Sequence, residues 1–399
     1  MKWPIVPLGD LFAERVPVLD PQRHPNEIFQ LWSIPAFDAG KPEVILGSEI
    51  GSAKKCLEPG DVLLSKIVPH VRRSWIVGPN RGHRQIGSGE WIVFRSKRMV
   101  PQYLRHFLTS DEFHTKFMGT IAGVGGSLMR ARPEAVKQFE LPLPPLDEQR
   151  RIAAILDQAD TLRRKRREAL DLLAALEDAT FIDAMNRQDM ENSDGALVAL
   201  ENVALLITDG EHQTPIRSSS GHRLLSARNV QMGRLDFNDV DFLGDEEFAR
   251  IAKRCATRRD DILISCSGTI GRVSVVEYDE PMCLVRSAAL VRPNKALIEP
   301  LFLEGYLRTQ RMQQIMKRAA NASGQPNLFQ GPIRQLPILL PPMETQRYVA
   351  DAKRAVRTSV TSGQAHLARL DALFASLQHR AFNGKLTAKV AERELTEVG

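Results

Sequence analysis

Short apolar runs bounded by turn residues occur in two regions of the chain, and each region also contains an amphipathic stretch. Runs of about four residues rich in β-branched and aromatic side chains are typical of strands. The predicted strands are Val62–Ser65, Ser74–Val77 and Trp91–Phe94 in the first region, and Ile262–Ser265, Val273–Val276 and Ala288–Val291 in the second. The apolar spacing predicts helices over Tyr103–Met118 and Leu301–Met316. Each region is therefore expected to form an α/β or α+β domain with a strand-rich centre.

A different pattern follows each strand-rich region, with apolar residues spaced alternately three and four apart after a Pro-Pro pair. This spacing is the heptad seam of a coiled coil, and proline suits a first helical turn because its missing N–H needs no partner there. A helix of roughly 35 residues would be about 50 Å long. The two seams weaken at their centres, at Arg166 and Gly363. The seams are Ile152, Ile155, Ala159, Leu162, Arg166, Ala169, Leu173, Leu176, Thr180 and Val349, Ala352, Val356, Ser359, Gly363, His366, Leu370, Leu373, Leu377.

These two regions are copies of one unit, because similar segments recur in the same order. Leu141–Arg150 resembles Leu339–Arg347, with both Pro144 and Gln149 matched at an offset of 197 positions. Further matches are Gly60–Ser65 with Asp260–Ser265, Arg72 with Arg272, Pro101–Leu104 with Pro300–Leu303, and Leu8–Leu11 with Leu200–Val203. A co-linear series of this kind indicates a tandem duplication. We expect domains at 1–144 and 191–341, long helices within 145–190 and 342–386, and a tail at 387–399.

A duplicated unit pairs most simply about a pseudo-two-fold axis, which would make the two long helices an antiparallel coiled coil. The two domains would then be about one helix length apart. Since B-DNA repeats every ~34 Å, they could bind neighbouring turns of one duplex, with the helices as a ruler. A bundle that merely holds two enzymatic domains explains the same pattern equally well.

Composition narrows these alternatives only slightly. The formal net charge is +6, from 54 basic and 48 acidic residues, with a pI near 9.2. This excess suits a polyanionic partner but also an ordinary basic enzyme. The four cysteines are scattered, which argues against zinc sites and disulfides. The first residues do not resemble a signal peptide, and no apolar run approaches the ~20 residues that span a bilayer. We expect a soluble, cytoplasmic protein with no membrane partner.

Motifs of common enzyme classes are absent from the sequence. There is no phosphate-binding G-x-x-x-x-G-K-[ST] loop, no dinucleotide fingerprint, no Asn/Asp-Pro-Pro-aromatic tetrapeptide, no H-E-x-x-H and no serine nucleophile elbow. The nine histidines are dispersed, and His106 and His114 are too far apart on one predicted helix to share a metal. We therefore expect no catalytic residue and no metal site in this chain.

Polar and basic loops occupy matching places in the two copies. Ser65–Arg73 pairs with Ser265–Arg272, and Gly123–Arg130 pairs with Asn321–Asn327. A third loop, Asp209–Pro215 with Arg217, His222 and Arg223, has no close equivalent in the first copy. Such loops can offer backbone N–H groups and cations to phosphate, and Arg, Asn or Gln to base edges. Plain surface turns explain each loop about as well. The basic run 163–167 is more typical of a solvated helix face than of a phosphate contact.

The candidate DNA-binding residues are taken from these loops. They are Lys66, His70, Arg72, Arg73, Ser127, Arg130, His212, Thr214, Arg217, Arg223, Ser267, Thr269, Arg272, Asn321, Ser323, Gln325 and Asn327.

The chain as a whole resembles the specificity subunit of type I restriction-modification enzymes. The resemblance lies in the two proline-rich segments followed by Glu-Gln-Arg-Arg151 or Thr-Gln-Arg347, and in three further segments, Ser267–Arg272, Ser323–Leu328 and Arg380–Leu386. The first copy has Lys66–Arg72 where the second has Ser-Gly-Thr-Ile-Gly-Arg, so contacts need not transfer one-to-one between the copies.

The resemblance implies two target recognition domains that each recognise half of an asymmetric bipartite DNA site, with paired antiparallel helices that fix the spacer. It also implies two methyltransferase (modification) subunits that use S-adenosylmethionine to methylate adenine, and restriction subunits that use ATP and magnesium. This chain itself would hold no cofactor, and base flipping would be left to the methyltransferase. Two other hypotheses stay open, namely a self-contained methyltransferase or nuclease with unrecognised motifs, and a non-specific coiled-coil scaffold.

Overall fold

The computed structural model describes residues 3–122, 129–187, 196–320 and 326–386. The chain divides into two compact units, Met1–Ala169 with Gly363–Gly399 (unit 1) and Leu170–Ser362 (unit 2). The division falls within two long helices, so each unit combines one strand-rich region with parts of both helices.

In unit 1 the elements follow the predicted mixture of short strands and helices. The strands are β1 Ile5–Pro7, β2 Val18–Leu19, β3 Ile28–Trp32, β4 Glu43–Leu46, β5 Lys54–Cys56, β6 Val62–Ser65, β7 Ser74–Ile76, β8 Arg84–Gly87, β9 Trp91–Phe94, β10 Ile121–Ala122, β11 Arg130–Ala131 and β12 Glu140–Pro142. The helices are α1 Ile34–Asp38, α2 Pro101–Leu108, α3 Asp111–Met118 and α4 Pro133–Lys137, followed by the long helix α5 Leu146–Arg187.

Unit 2 repeats this succession. Its strands are β13 Ala196–Ala199, β14 Ala204–Asp209, β15 Arg217–Ser218, β16 His222–Leu225, β17 Val230–Gln231, β18 Arg234–Leu235, β19 Asp241–Leu243, β20 Ile262–Ser265, β21 Val273–Val275, β22 Cys283–Leu284, β23 Ala288–Pro293 and β24 Pro337–Leu340. The helices are α6 Asp245–Cys255, α7 Pro300–Arg308, α8 Gln310–Ala320 and α9 Gln330–Arg334, followed by the long helix α10 Met343–Phe382. Short 3-10 helices span Leu8–Leu11, Pro21–Arg23, Gly47–Glu49 and Leu200–Val203.

The central antiparallel sheet is the same in the two units. In unit 1 the strand order is β7-β6-β9, and in unit 2 it is β21-β20-β23, extended by β14. Even the register repeats, because Ser65 pairs with Trp91 and Ser265 pairs with Ala288. All residues of β6 and β20 are buried, as their continuous apolar sequences predict. The three predicted strands of each copy are confirmed.

A second sheet in each unit has a shared core and different edges. In unit 1 the order is β2-β5-β8-β3-β4, and in unit 2 it is β15-β19-β16-β22. Strand β3 pairs parallel with β8 and antiparallel with β4, and β16 pairs in the same way with β22 and β19. The duplication therefore extends to strands that the sequence pattern did not reveal.

The prediction of one helix over Tyr103–Met118 is wrong in one respect, because the chain forms two helices there. Helix α2 ends at Leu108, and Ser110 starts α3 by accepting a hydrogen bond from Phe113 N at 3.3 Å. A serine in this position favours a new helix start over continuation. The second copy breaks in the same way after Arg308, between α7 and α8.

The long helices are antiparallel within each unit. In unit 1, Arg151 Nη2 donates to Leu386 O at 2.9 Å and Arg163 Nε to Asp371 Oδ1 at 2.6 Å, so rising numbers in α5 meet falling numbers in α10. Helices α5 and α10 contain 42 and 40 residues, more than the roughly 35 predicted. Several predicted seam residues are buried, namely Ile152, Ala159, Val349, Val356, Leu370 and Leu377.

The seam prediction is wrong for two residues of unit 2, Leu176 and Ser359, which are exposed. The helices meet there through charged neighbours of these residues. Glu177 Oε1 lies 3.1 Å from Arg357 Nη2 and 3.3 Å from Lys353 Nζ. An ionic contact beside the predicted seam therefore joins the helices there, and hydrophobic periodicity cannot detect such a contact.

Candidate functional site

A serine at the end of each central strand organises the turn that follows it. In unit 1, Ser65 N donates to Arg73 O at 3.0 Å, and in unit 2, Ser265 N donates to Arg272 O at 2.9 Å. The Ser265 hydroxyl also accepts from Arg272 N at 2.9 Å and donates to Thr269 O at 2.5 Å. These bonds close a turn on the polar residues that follow strands β6 and β20.

Three segments meet beside this turn, and they do so at equivalent positions in the two units. In unit 1, Lys66 N donates to Glu90 O at 3.0 Å, and Lys66 O accepts from Ala131 N at 2.8 Å. In unit 2, Cys266 makes the same two backbone bonds with Ser287 (2.7 Å) and Leu328 (2.8 Å). We call this meeting point the loop junction: residues 66–67, 90 and 129–131 in unit 1, and 266, 286–287 and 327–330 in unit 2.

The loop junction of unit 1 is basic. Lys66 Nζ lies 3.8 Å from Glu90 Oε2, and Arg130 donates to both carboxylate oxygens of Glu90 at 3.2 and 3.3 Å. One carboxylate thus faces two cations. Partly exposed ion pairs of this kind contribute little stability, so the two cations can exchange their partner for a phosphate at low cost.

The other basic residues of this region are held elsewhere in unit 1. Arg72 Nη1 lies 2.6 Å from Asp111 Oδ1 at the start of α3, and Arg73 forms a two-bond pair with Asp38 at 2.8 and 2.9 Å. His70 is exposed in the turn that precedes them.

The loop junction of unit 2 opens into a pocket of about 280 Å³. Asn327 projects a buried Oδ1 atom that has no hydrogen-bond partner among the described residues. Phe329 is 53% exposed, which is unusual for a large aromatic side chain, and Arg286 is exposed at the rim. The lining residues are Asp209, His212, Cys266, Arg286, Ala289, Asn327, Leu328, Phe329, Gln330 and Ile333. An acceptor, a cation and an aromatic surface are therefore presented together.

The turn after β20 is held against helix α8. Gly268 and Gly271 have φ angles of +70° and +86°, which side chains with a Cβ rarely adopt. Gln313 Nε2 donates to Gly271 O at 2.7 Å, and a Cβ on Gly271 would lie only 3.0 Å from Gln313 Oε1. Thr269 is exposed on this turn. Ser267 and Arg272 flank the turn and are half-buried.

The loop that begins at Asp209 is fixed by ion pairs and by backbone hydrogen bonds. His212 Nε2 and Arg254 Nη2 lie 2.8 and 2.6 Å from the two Asp209 carboxylate oxygens. Farther along, Glu247 accepts from Ile216 N at 3.1 Å, and hydrogen bonds from Arg250 and then Ile216 lower the pKa of Glu247 to about 2. Thr214 is exposed between these anchors.

Arg217 and Arg223 belong to the second sheet of unit 2 rather than to the pocket. Arg217 Nε lies 3.0 Å from Asp241, and Arg223 Nη1 lies 2.5 Å from Glu280.

The structure brings some candidates together and separates others. Lys66 and Arg130 share Glu90, and His212 and Asn327 line one pocket, whereas four arginines have separate acidic partners, namely Arg72, Arg73, Arg217 and Arg223. Ser127, Asn321, Ser323 and Gln325 lie outside the described residues.

Sequence reasoning missed several residues of the two loop junctions. They are Glu90, Arg286, Phe329 and Gln330. Glu90 and Arg286 lie just before the equivalent strands β9 and β23, and this shared position is the signal that could have found them.

Within residues 3–122, 129–187, 196–320 and 326–386, no group of three or more His, Cys, Asp or Glu residues is placed to hold a metal ion. No helix in the same part of the chain is both long and apolar enough to cross a membrane.

Comparison with known proteins gives one consistent family. The family model described as "Type I restriction modification DNA specificity domain" matches residues 83–172 and 237–356, more than half of the chain. The EcoBI specificity subunit of a type I restriction enzyme from Escherichia coli is 25% identical over 279 residues, 62% of this chain and 59% of that protein. The EcoKI specificity subunit from Escherichia coli strain K12 is 23% identical over 322 residues, 74% of this chain and 68% of that protein.

A solved structure supports the fold. A chain from a study of complex assembly and conformational transition of the type I R-M system superposes with a TM-score of 0.61, at 21% identity, over 96% of this chain and 98% of that chain. This likeness confirms the mixed helix–strand fold with two long helices. The chain spans about three fifths of the length of the EcoBI subunit. From the match to both segments of the family model, the chain belongs to the type I restriction-modification DNA specificity family.

Proposed function

We propose that this chain is the sequence-specificity subunit of a type I restriction-modification complex and has no catalytic role of its own. Two target recognition domains, residues 1–144 and 191–341, each bind one half of an asymmetric bipartite site in double-stranded DNA. The observation that most supports this is the loop junction, which has the same backbone bonds in both units but different side chains. Equivalent sites with unlike chemistry suit the recognition of two different half-sites.

The side chains at the two junctions favour different contacts with DNA. Lys66 and Arg130 bring two cations to unit 1, which suits phosphate, and Arg also forms two hydrogen bonds with guanine. In unit 2, Asn327 suits adenine, whose N6 and N7 match an amide, while Arg286 suits phosphate or guanine and Phe329 offers an apolar surface to a thymine methyl group.

The proposed contact surface extends from these junctions over the neighbouring loops. It comprises Lys66, His70, Arg72, Arg73 and Arg130 in the first domain and His212, Thr214, Arg217, Arg223, Ser267, Thr269, Arg272 and Asn327 in the second. Ser127, Asn321, Ser323 and Gln325 complete it outside the described residues. Arginines with an acidic partner of their own would have to exchange that partner for DNA.

The long helices, within 145–190 and 342–386, are proposed to fix the spacer between the half-sites and to bind two methyltransferase subunits. Restriction subunits would join the same complex. S-adenosylmethionine, ATP and magnesium belong to these partner subunits, and the complex acts on DNA in the cytoplasm. The tail at 387–399 lies outside the described residues.

The direct test is a map of N6-methyladenine in DNA from cells that contain this chain and its modification subunits. A bipartite motif with a fixed spacer is expected. R130A should relax the sequence of one half-site only and N327A the other only. R259A is a matched control, because Arg259 pairs with Asp279 on the surface of unit 2 away from the pocket. Unpatterned methylation, or one half-site altered by both variants, would contradict the proposal.

The ruler is tested by inserting one heptad into both helices, after Ala169 and after Ser362, where the two units divide. Seven residues add about 10.5 Å, roughly three base pairs. The spacer should lengthen or methylation should stop, with each half-site sequence unchanged. The same heptad inserted within 188–195, between α5 and β13, should leave the spacer as it was. Undiminished methylation at the original spacing in the double insertion refutes the ruler.

Two outcomes would favour the remaining hypotheses. Binding of S-adenosylmethionine by the isolated chain would indicate a self-contained methyltransferase. A footprint with no preferred DNA site, in the presence of modification subunits, would indicate a non-specific scaffold.

A further inference from the structure

A buried carboxylate lies where helix α7 meets both long helices in unit 2. Glu304 is 0% exposed and lies 2.6 Å from Lys353 Nζ, 3.0 Å from Arg357 Nη2 and 3.3 Å from Arg308 Nη1. Helix α5 contributes a second acid, because Glu177 Oε1 lies 3.1–3.3 Å from the same three cations. We call these five residues the ion cluster.

The charges of the ion cluster depend on one another. Burial alone raises the pKa of Glu304, but Lys353, Arg357 and Arg308 together bring it below its ordinary value. Lys353 is itself 2% exposed, so its ammonium group has little water to replace a missing partner. Removing one partner of a buried ion pair is strongly destabilising, because the remaining charge stays buried without compensation.

The two matching long-helix positions in unit 1 are apolar, although charged groups lie beside them: Arg163 lies 4.2 Å from the centre of the Phe374 ring, and Arg105, which corresponds to Glu304, pairs with Asp157. At the offset of 197 that matches Gln149 with Gln346, Lys353 corresponds to Leu156 and Glu177 to Phe374. Leu156 and Phe374 are both buried members of the unit 1 core. The two matching positions of the long helices therefore hold Lys353 and Glu177 in unit 2 but Leu156 and Phe374 in unit 1.

Contacts with helices α2 and α7 support this matching of positions in the two long helices. The same offset matches Phe181 of α5 with Gln378 of α10. Gln378 Nε2 donates to His106 O on α2 at 3.2 Å, and the Phe181 ring lies against Gly305 on α7, where a Cβ would approach it to 2.7 Å. His106 and Gly305 are equivalent positions of the repeat, two residues after Leu104 and Leu303.

We propose that the ion cluster selects the helix that α10 accepts in unit 2. It admits α5, which brings Glu177, and rejects the α10 of a second copy of this chain, which would bring Phe374 to the same place. With Phe in that position, Lys353 would keep Glu304 as its carboxylate partner and Arg357 would keep Glu304 and Glu277, so the buried cations would lose one compensating charge. A duplicated chain has two similar helices that could each pair with their own kind. Charge at one seam position opposes that pairing, as polar seam residues do in coiled coils.

The test uses the full-length chain and the side chain that a second α10 would present. E177F should raise the unfolding equilibrium constant at least about a hundredfold, as expected for a broken buried ion pair. E177F/K353L converts the pair to the Leu–Phe type of unit 1 and should recover at least about tenfold of that loss, because the uncompensated ammonium is gone. E168F is the control, since Glu168 is an exposed residue of the same helix whose contact with Arg164 is 3.7 Å long.

Urea unfolding measures the change in stability of each variant, and hydrogen exchange, followed separately in the two units, shows which unit is affected. The expected result is a large loss in unit 2 for E177F, partial recovery in the double variant and parental stability for E168F. The proposal is overturned if E177F stays within about fivefold of the parent. It is equally overturned if E177F/K353L is as unstable as E177F, since the cost would then come from the phenylalanine itself rather than from unpaired charge.

Discussion

The glutamine of each proline-rich repeat should be a stability determinant of its own unit. Gln149 is fully buried, and its Oε1 accepts from Val100 N at 2.8 Å, just before helix α2. Its Nε2 donates to Pro144 O at 2.8 Å and Arg98 O at 3.0 Å. Gln346 makes the same three bonds in unit 2, with Glu299 N, Pro341 O and Leu297 O. One side-chain amide thus joins the start of α5 to the start of α2 in unit 1, and the start of α10 to the start of α7 in unit 2.

Replacing Gln149 with leucine keeps the side chain at about the same size but leaves the backbone groups that the amide contacts without a hydrogen-bond partner. Each buried group left without a partner costs about 1–3 kcal/mol. The Arg98 carbonyl belongs to an exposed residue and can be rehydrated, so two groups contribute most. We therefore expect Q149L to lower the free energy of unfolding by about 2–6 kcal/mol.

Urea unfolding with hydrogen exchange distinguishes the two units. Q149L should accelerate exchange in unit 1 and Q346L in unit 2, by similar factors. Q335L is the control, because the Gln335 amide donates to Glu201 at the surface and should cost under about 0.5 kcal/mol. A Q149L effect below about 1 kcal/mol, or equal acceleration in both units, would refute the reasoning.

Three further predictions follow from particular contacts. Asp61 and Asp261 are buried carboxylates in two-bond pairs with an arginine, so D61N or D261N should cost about 3 kcal/mol in urea unfolding. Burial lowers the pKa of His106, although the contact with Asp157 opposes this shift. The stability contributed by neutral His106 is therefore fully present above the ordinary histidine pKa of 6.5 and is lost as the pH falls from there through the lowered pKa of the folded state. H106Q should reduce the change in the urea unfolding midpoint between pH 7 and pH 5. If the proposed function holds, R286A should reduce the salt dependence of DNA binding by about one counterion.

Much of the fold was predictable because hydrophobic periodicity and the repeat act together. The central strands, the two long helices and the duplication follow from local patterns that each copy supports independently. The second sheets were missed because strands such as β2, β15 and β22 are only two residues long, below the length at which alternation is visible.

The candidate site was predictable in its loops but not in its partners. Lys66, Arg130, His212 and Asn327 were found from loop composition. Nothing in sequence spacing indicates that Glu90 lies between Lys66 and Arg130, because that contact depends on the register of strands β6 and β9. The ion cluster was missed for the same reason, since Glu177 lies about 130 to 180 positions from the cations that it contacts.

The two loop junctions show how different side chains can occupy equivalent places while the backbone hydrogen bonds stay the same. The segments that meet there are joined by backbone hydrogen bonds, Lys66 with Glu90 and Ala131, and Cys266 with Ser287 and Leu328. Since these bonds use no side chain, a lysine can stand where the other copy has a cysteine while the backbone keeps the same bonds. The glutamine that joins elements within each unit, Gln149 in unit 1 and Gln346 in unit 2, is the same in both copies. The side chains at the loop junctions can therefore differ between the copies while the backbone bonds stay the same, whereas the differences at the ion cluster change the contacts between helices.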